Sequence, residues 1–327
     1  MEKISIVDKL NTAALMLVTE EVAKVKNIRK RTGYGTKPTF DRPFPIPTEY
    51  VEIDGVKVRY AKGGIKDGET VLLMSPLPQS IIAYAPIWKK LIEKFNVIAY
   101  DLPGFGGSEG GRRFMTFEAQ GEFLKNFIEH FEIKNPHLVG PDVGMPAALY
   151  YTGSHENEVQ SLIIGDGPAI DPSSNGSIIN KMVNSGFWRL IMGNVGAGPF
   201  VEAGNQLCYM NYVPNAEEIA DYKASYKGRI KPILEWFKGY PASLRSLDPI
   251  LDIIEQPVLI FWGKNDYLLY VDNGERLSQR MRNASLHVFE DCGHFSYQDR
   301  HEAFYTMLDA WLREFSSRTQ TSSIEKR

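Results

Sequence analysis

The stretch His137-Leu138-Val139-Gly140-Pro141-Asp142-Val143-Gly144-Met145-Pro146-Ala147-Ala148 decides how the rest of the chain is read. A short apolar strand runs into G-x-D-x-G and then into a helix of small residues. This is the pattern of a nucleophile elbow with Asp in the place of Ser. Such a turn is sharp, so Gly140 and Gly144 must be small, and the N-terminus of the following helix favours negative charge at the residue presented there. A carboxylate in that position would attack an sp³ carbon and leave an alkyl-enzyme ester. The same Asp could instead cap the following helix, and the motif alone does not choose between the two.

Around the elbow, short apolar runs alternate with helical patterns. An antiparallel hairpin is expected at 50–54 and 57–61, turning through Gly55. Runs at 71–74, 97–100, 137–140, 161–164, 257–262 and 285–289 have the composition of strands buried on both faces. Helical periodicity lies between several of them, at 117–131, 143–151, 273–281 and 302–315. Strand–helix alternation predicts an α/β fold with a mostly parallel sheet flanked by helices. Between 168 and 247 no strand is expected, only helical patterns rich in aromatics. That stretch reads as a helical cap inserted after the sixth strand, over the C-terminal edge of the sheet.

The domain expectation is therefore an N-terminal amphipathic helix and Pro-rich connector (1–48), a core (49–167 and 248–317), a helical cap (168–247) and a polar tail (318–327). In the first segment, one helix is expected over 5–29. Val7, Leu10, Ala14, Leu17, Val18, Val22 and Val25 would line its packed face, and the basic cluster Lys24 to Arg31 its solvated end. Its alternative use is as a membrane-surface or partner-binding arm, including one that joins a homo-oligomer.

Two further residues bear on Asp142. Phe261-Trp262-Gly263-Lys264-Asn265-Asp266 ends a strand in an acidic loop, and Cys292-Gly293-His294-Phe295 follows the next strand. The chain order nucleophile, acid, His is the one this architecture uses. His294 would activate water and Asp266 would orient and charge-stabilise the imidazole. Asp166, in Ile163-Ile164-Gly165-Asp166-Gly167, is the alternative acid, or else a cap or hinge of the inserted segment.

The assembled pattern resembles the α/β-hydrolase superfamily, and within it the haloalkane dehalogenase and epoxide hydrolase group with an Asp nucleophile. Asp101-Leu102-Pro103-Gly104-Phe105-Gly106-Gly107-Ser108 looks like that group's D-x-x-G-x-G-x-S loop, and 214–222 looks like a stretch of dehalogenase caps. The resemblance implies an ester on Asp142 cleaved by water that His294 and Asp266 activate. It also shows departures. Ser75-Pro76-Leu77-Pro78 stands where the group has H-G-x-P. The backbone N–H groups of Leu77 and Val143 remain as an oxyanion or leaving-group hole. Val143 replaces the halide-binding Trp of dehalogenases, and Phe237 replaces one of the lid tyrosines of epoxide hydrolases. Tyr209, Tyr212, Tyr222 and Tyr226 are the candidate lid donors. Of the two chemistries epoxide opening is favoured, because a lost halide Trp is harder to replace than one of several tyrosines.

The chain of 327 residues carries 37 basic and 40 acidic side chains, a formal charge of −3. That balance offers no electrostatic footprint for nucleic acid. Cys208 and Cys292 cannot build a disulfide framework, and no run is long and apolar enough to span a bilayer, so a cytoplasmic protein is expected. Gly106-Gly107-Ser108-Glu109-Gly110 matches G-x-S-x-G but lacks the strand-to-helix context, which makes Ser108 a turn residue. No metal-ligand spacing occurs. The expected partners are water and a small apolar organic substrate, with no cofactor.

Overall fold

Every expected strand forms: β1 (Glu49–Ile53), β2 (Val56–Gly64), β3 (Thr70–Met74), β4 (Asn96–Tyr100), β5 (His137–Pro141), β6 (Ser161–Gly165), β7 (Val258–Gly263) and β8 (Ala284–Phe289). The computed structural model describes residues 6–155 and 158–316. The strands make one sheet in the order β1-β2-β4-β3-β5-β6-β7-β8. Pairing is antiparallel at β1–β2 and β2–β4 and parallel from β4 through β8. Strands β3, β5, β6 and β7 are buried along their whole length, as continuous apolar runs require when both sheet faces are covered.

The helices are α1 (Ile6–Leu17), α2 (Val22–Thr32), α3 (Ala85–Ile92), α4 (Phe117–His130), α5 (Gly144–Ser154), α6 (Ser177–Asn184), α7 (Gly186–Met192), α8 (Ala197–Cys208), α9 (Ala216–Tyr226), α10 (Ile230–Leu247), α11 (Asp272–Arg280), α12 (Ser296–Asp299) and α13 (His301–Glu314). Helices α6 to α10 all lie between β6 and β7. Helix α3, not read from the sequence, is a short amphipathic crossover between β3 and β4 that starts with Pro86 in its first turn. The expected polar tail at 318–327 lies outside the described residues.

The N-terminal segment corrects the expectation of one long helix. The helix is interrupted between Leu17 and Val22, which lets Glu21 accept hydrogen bonds from Ser177 N–H (2.9 Å) and the Tyr270 hydroxyl (2.8 Å). The break also resets the helical phase. In α1 the buried positions are Thr12 and Leu15, whereas Leu10 and Leu17 are exposed at 65% and 87%. Val25 and Ile28 carry the packing of α2, and residue 5 and the Val7 side chain lie outside the description. Nor is the basic end simply solvated, since Arg29 donates to the carbonyls of Asn205 and Tyr209 (both 2.8 Å).

One buried titratable group sits at the opposite edge of the sheet from the strands' C-terminal ends. His137 opens β5, its Nδ1 is 2.7 Å from Ser161 Oγ, and its Nε2 is buried without a partner. Burial lowers its pKa from 6.5 to about 4. The unfolded chain therefore binds a proton below pH 6.5 that the folded ring refuses, and stability is lost as the pH falls from 6.5 toward about 4. Between pH 7 and 5, urea unfolding of the wild type should lose about 2 kcal/mol more than that of His137→Phe. Equal losses would contradict the assignment.

Candidate active site

The parallel strand order places the loops after β3, β5, β6, β7 and β8 side by side on one edge of the sheet. Leu77, Asp142, Asp166, Asp266 and His294 occupy those loops in that order. Asp142 sits at φ +49°, in the left-handed region that disfavours most side chains. Its N–H donates to the Gly165 carbonyl (2.9 Å) and its C=O accepts from Met145 N–H (3.1 Å). Close packing explains the two glycines of the motif. A Cβ on Gly140 would stand 2.7 Å from the Gly144 carbonyl oxygen, and one on Gly144 would stand 2.8 Å from Met74 Cβ.

The Asp142 side chain does not cap α5, whose N-terminus has no side-chain cap. Its Oδ2 accepts from the Leu77 N–H (2.6 Å), and its Oδ1 lies 3.5 Å from His294 Nε2. On the other side of the ring, His294 Nδ1 is 2.7 Å from Asp266 Oδ2. The remaining Asp266 oxygen accepts from the N–H groups of Leu268 and Leu269 (2.9 Å each), which fixes the carboxylate. Burial alone would pull the His294 pKa down. The Asp266 charge and the Asp142 contact outweigh it and hold the imidazole well above its ordinary value.

Asp166 makes no hydrogen bond to the imidazole. Its oxygens accept from Gly263 N–H (2.9 Å), Ser296 N–H (3.2 Å) and the Ser296 hydroxyl. Burial, and then the charge of Asp266, push its carboxyl well above the usual range. Ser108 makes no hydrogen bond to the imidazole either. It is buried, donates to the Asp101 carbonyl (2.6 Å) and accepts from Arg59 N–H (2.8 Å).

Asp142, His294, Leu77 and Val143 line one cavity of about 80 Å³. Its other walls come from α1, α6, α7, α8, α10 and the loop after β7, and they are almost wholly apolar. The candidate lid tyrosines are not among the lining residues. Tyr209 accepts from Gln79 Nε2 (2.5 Å) and donates to Gln298, and Tyr212 donates to Glu218 (2.7 Å). Tyr226 donates to the Gln79 carbonyl (2.8 Å), and Tyr222 is buried away from the cavity. All four pack the inserted helices on the core. Tyr240, which sequence reasoning missed, does line the cavity, together with Trp236 and Phe237. Its hydroxyl lies 3.2 Å from Asn175 Oδ1. Helical spacing was the available signal, since 236 and 240 are one turn apart on α10.

Two buried carboxylates hold the inserted helices over the site, and neither stood out in the sequence as a fastening. Asp299 accepts from the N–H groups of Gly293, Met210, Asn211 and Tyr212, so it joins the His294 loop to the segment after α8. Gly293 makes that approach feasible, because a Cβ there would be 1.9 Å from the Cys208 carbonyl oxygen. Asp101 accepts from Ile81 N–H (2.8 Å), Gly107 N–H (2.7 Å) and Arg59 Nε (2.5 Å). The same guanidinium donates to Asp221 on α9 (2.6 Å).

The sheet order, the elbow and the edge-on array of Asp142, His294 and Asp266 define a hydrolase architecture. Residues 77–306 match the alpha/beta hydrolase family, and the chain belongs to it. A curated relative, the 2-hydroxy-6-oxononadienedioate/2-hydroxy-6-oxononatrienedioate hydrolase of Escherichia coli O139:H28 (strain E24377A / ETEC), is 25% identical over 227 residues. These are 65% of this chain and 75% of that protein. The structure of a loop variant of haloalkane dehalogenase DbeA from Bradyrhizobium elkanii aligns with TM-score 0.71 at 19% identity, covering 84% of this chain and 99% of that one. Epoxide hydrolase CorEH aligns with TM-score 0.69 at 21% identity, covering 83% and 99%. At these identities the two structures speak for the fold alone. The relatives and neighbours named here are hydrolases.

The Arg59 bridge is testable by unfolding. Arg59→Met leaves Asp101, which is fully buried, without its counter-charge and should cost about 3–5 kcal/mol. Asp221→Asn, at a partner with 24% of its side chain exposed, should cost about 1–2 kcal/mol. Equal urea midpoints for the two variants would contradict this account.

Proposed function

We propose that this α/β-hydrolase acts through an alkyl-enzyme ester on Asp142, cleaved by water that the His294–Asp266 pair activates, and that its substrate is an epoxide carried on an apolar body. One observation carries this: the Asp142 carboxylate, presented at φ +49°, lies between the Leu77 N–H and His294 at the polar end of an otherwise apolar cavity.

In the first step an Asp142 oxygen bonds to an epoxide carbon and the ring C–O bond breaks. The alkoxide takes a proton from Tyr240, whose burial keeps its phenol protonated. In the second step water attacks Asp142 Cγ. Oδ2 then becomes the oxyanion, and the Leu77 N–H already points at it; we assign the Val143 N–H as the second donor. These two groups thus serve ester cleavage rather than the leaving group. His294 takes one water proton and passes it to the departing alcohol oxygen. The other water proton, left on the Asp142 acid, restores Tyr240. The sum is epoxide plus water to diol.

The ring charge suits this sequence. The Asp266 charge and the Asp142 contact favour the protonated ring in the resting site. Esterification removes the Asp142 charge, so the pKa falls, the ring releases its extra proton to solvent and becomes available as a base, and it takes a proton back from solvent once the Asp142 carboxylate is restored. Ester cleavage followed in single turnover should therefore rise about tenfold per pH unit below that lowered pKa and level off above it. A rate that falls with rising pH would reject His294 as the base.

The alternative is halide displacement, which the indole of Trp236 in the cavity wall favours as a halide donor. Intact-mass measurement on His294→Gln decides between them. An adduct equal to a whole epoxide, mapped to Asp142, supports ring opening, and one equal to a haloalkane minus HX supports displacement. No adduct from either panel, with an inert wild type, would point to a binding protein. The E. coli relative is named for a dioate substrate, but none of the described residues lining this cavity is Lys or Arg to pair with a carboxylate.

A further inference from the structure

The wall least expected from the family match is the one α1 supplies. Helix α1 ends 60 positions before residue 77, where the match begins, yet Leu15 and Met16 line the same cavity as Asp142 and His294, and Thr19 just beyond the helix joins them. Leu15 and Thr19 are buried, and Met16 is half-buried. The strap that follows is fastened to the inserted helices on both sides. Glu21 accepts from Ser177 on α6 (2.9 Å), Lys181 donates to the Val18 carbonyl, and Arg29 donates to the last turn of α8 (2.8 Å). So the helix outside the matched region is seated on the inserted helices with one face turned into the catalytic cavity.

Size and polarity then constrain what fits. The cavity of about 80 Å³ is roughly half the ~150 Å³ that accommodates a benzene ring. A larger substrate requires a wall to give way. The unbranched Met16 is the side chain of α1 most able to do so, since its three torsions and thioether adapt to irregular shapes. An anionic substrate would enter beside the Asp142 carboxylate with no Lys or Arg among the described lining residues, and the His294 ring is already shared by Asp142 and Asp266, so burial penalises it heavily.

We propose that α1 is the specificity wall of the site, with Met16 setting substrate length, and that the substrate class is neutral and apolar. The chemistry by which this is most easily read rests on Asp142 as nucleophile, so the test has one arm that uses that chemistry and one that does not.

In the first arm, His294→Gln is offered an equimolar mixture of 1,2-epoxybutane, 1,2-epoxyhexane and 1,2-epoxyoctane, and the adducts are weighed. Adding Met16→Ala should shift the octane-to-butane adduct ratio upward by about tenfold, the effect of roughly two buried methylenes. Leu10→Ala, on the exposed face of the same helix, should leave the ratio unchanged. An unchanged ratio in Met16→Ala, or an equal shift in Leu10→Ala, overturns the wall. In the second arm, the wild-type protein, which keeps the Asp142 carboxylate, is heated with the unreactive 1-hexanol, 1-octanol, hexanoate or octanoate. The alkanols should raise its Tm and the alkanoates should not, and Met16→Ala should enlarge the octanol shift relative to hexanol. A shift with the alkanoates alone overturns the neutral class. If no epoxide gives an adduct but the Met16-dependent alkanol shift remains, the wall stands and the epoxide assignment falls. If no alkanol shift appears and no adduct ratio changes, the wall itself falls.

Discussion

The turn that joins β5 to α5 is the constraint on which the rest of the site depends. It forces Asp142 into a left-handed backbone conformation, held by its N–H on the Gly165 carbonyl and by glycines that let α5 approach the strand closely. Strain of this kind persists only where the surroundings over-determine it. Here those surroundings are two parallel neighbours, β3 and β6, each buried end to end. The same geometry lifts the carboxylate off the helix it would otherwise cap and aims it at Leu77 and His294. A residue presented this way is already oriented toward the cavity, with little side-chain freedom left to lose.

Around that turn, polar groups are buried in sets rather than singly. Asp299 and Asp101 each collect several backbone N–H groups, and the Arg59 guanidinium serves carboxylates on both the core and α9. Tyrosine hydroxyls, Gln79, Gln298 and Glu218 fill the rest of the seam beneath α9. Networks of this type specify one seating of the inserted helices, because a displacement leaves several buried groups unpaired together. The cavity at Asp142, by contrast, is almost devoid of polar groups except at Asp142, His294, Thr19, Tyr240 and the indole of Trp236. Rigidity is thus placed in the polar seam, and the cavity is left to apolar side chains that can adjust.

The amino-acid sequence by itself determined the sheet and its elbow. Buried parallel strands read as unbroken apolar runs, and a strand-to-helix turn of this sharpness needs Gly140 and Gly144, so local pattern and local sterics sufficed. It also brought Asp142, Asp166, Asp266 and His294 to one edge, since strand ends follow from strand order. Tertiary structure alone decided what those residues touch. Asp266 rather than Asp166 meets the imidazole because Ser296 and Gly263 occupy the oxygens of Asp166, a contact 130 residues apart in sequence that no periodicity encodes. The same holds for Tyr240 lining the cavity in place of Tyr209, Tyr212 and Tyr222, and for α1 turning Leu15 and Met16 inward once the helix is interrupted before Glu21. Periodicity specifies that a face is apolar. Only the packing of distant segments specifies what that face covers.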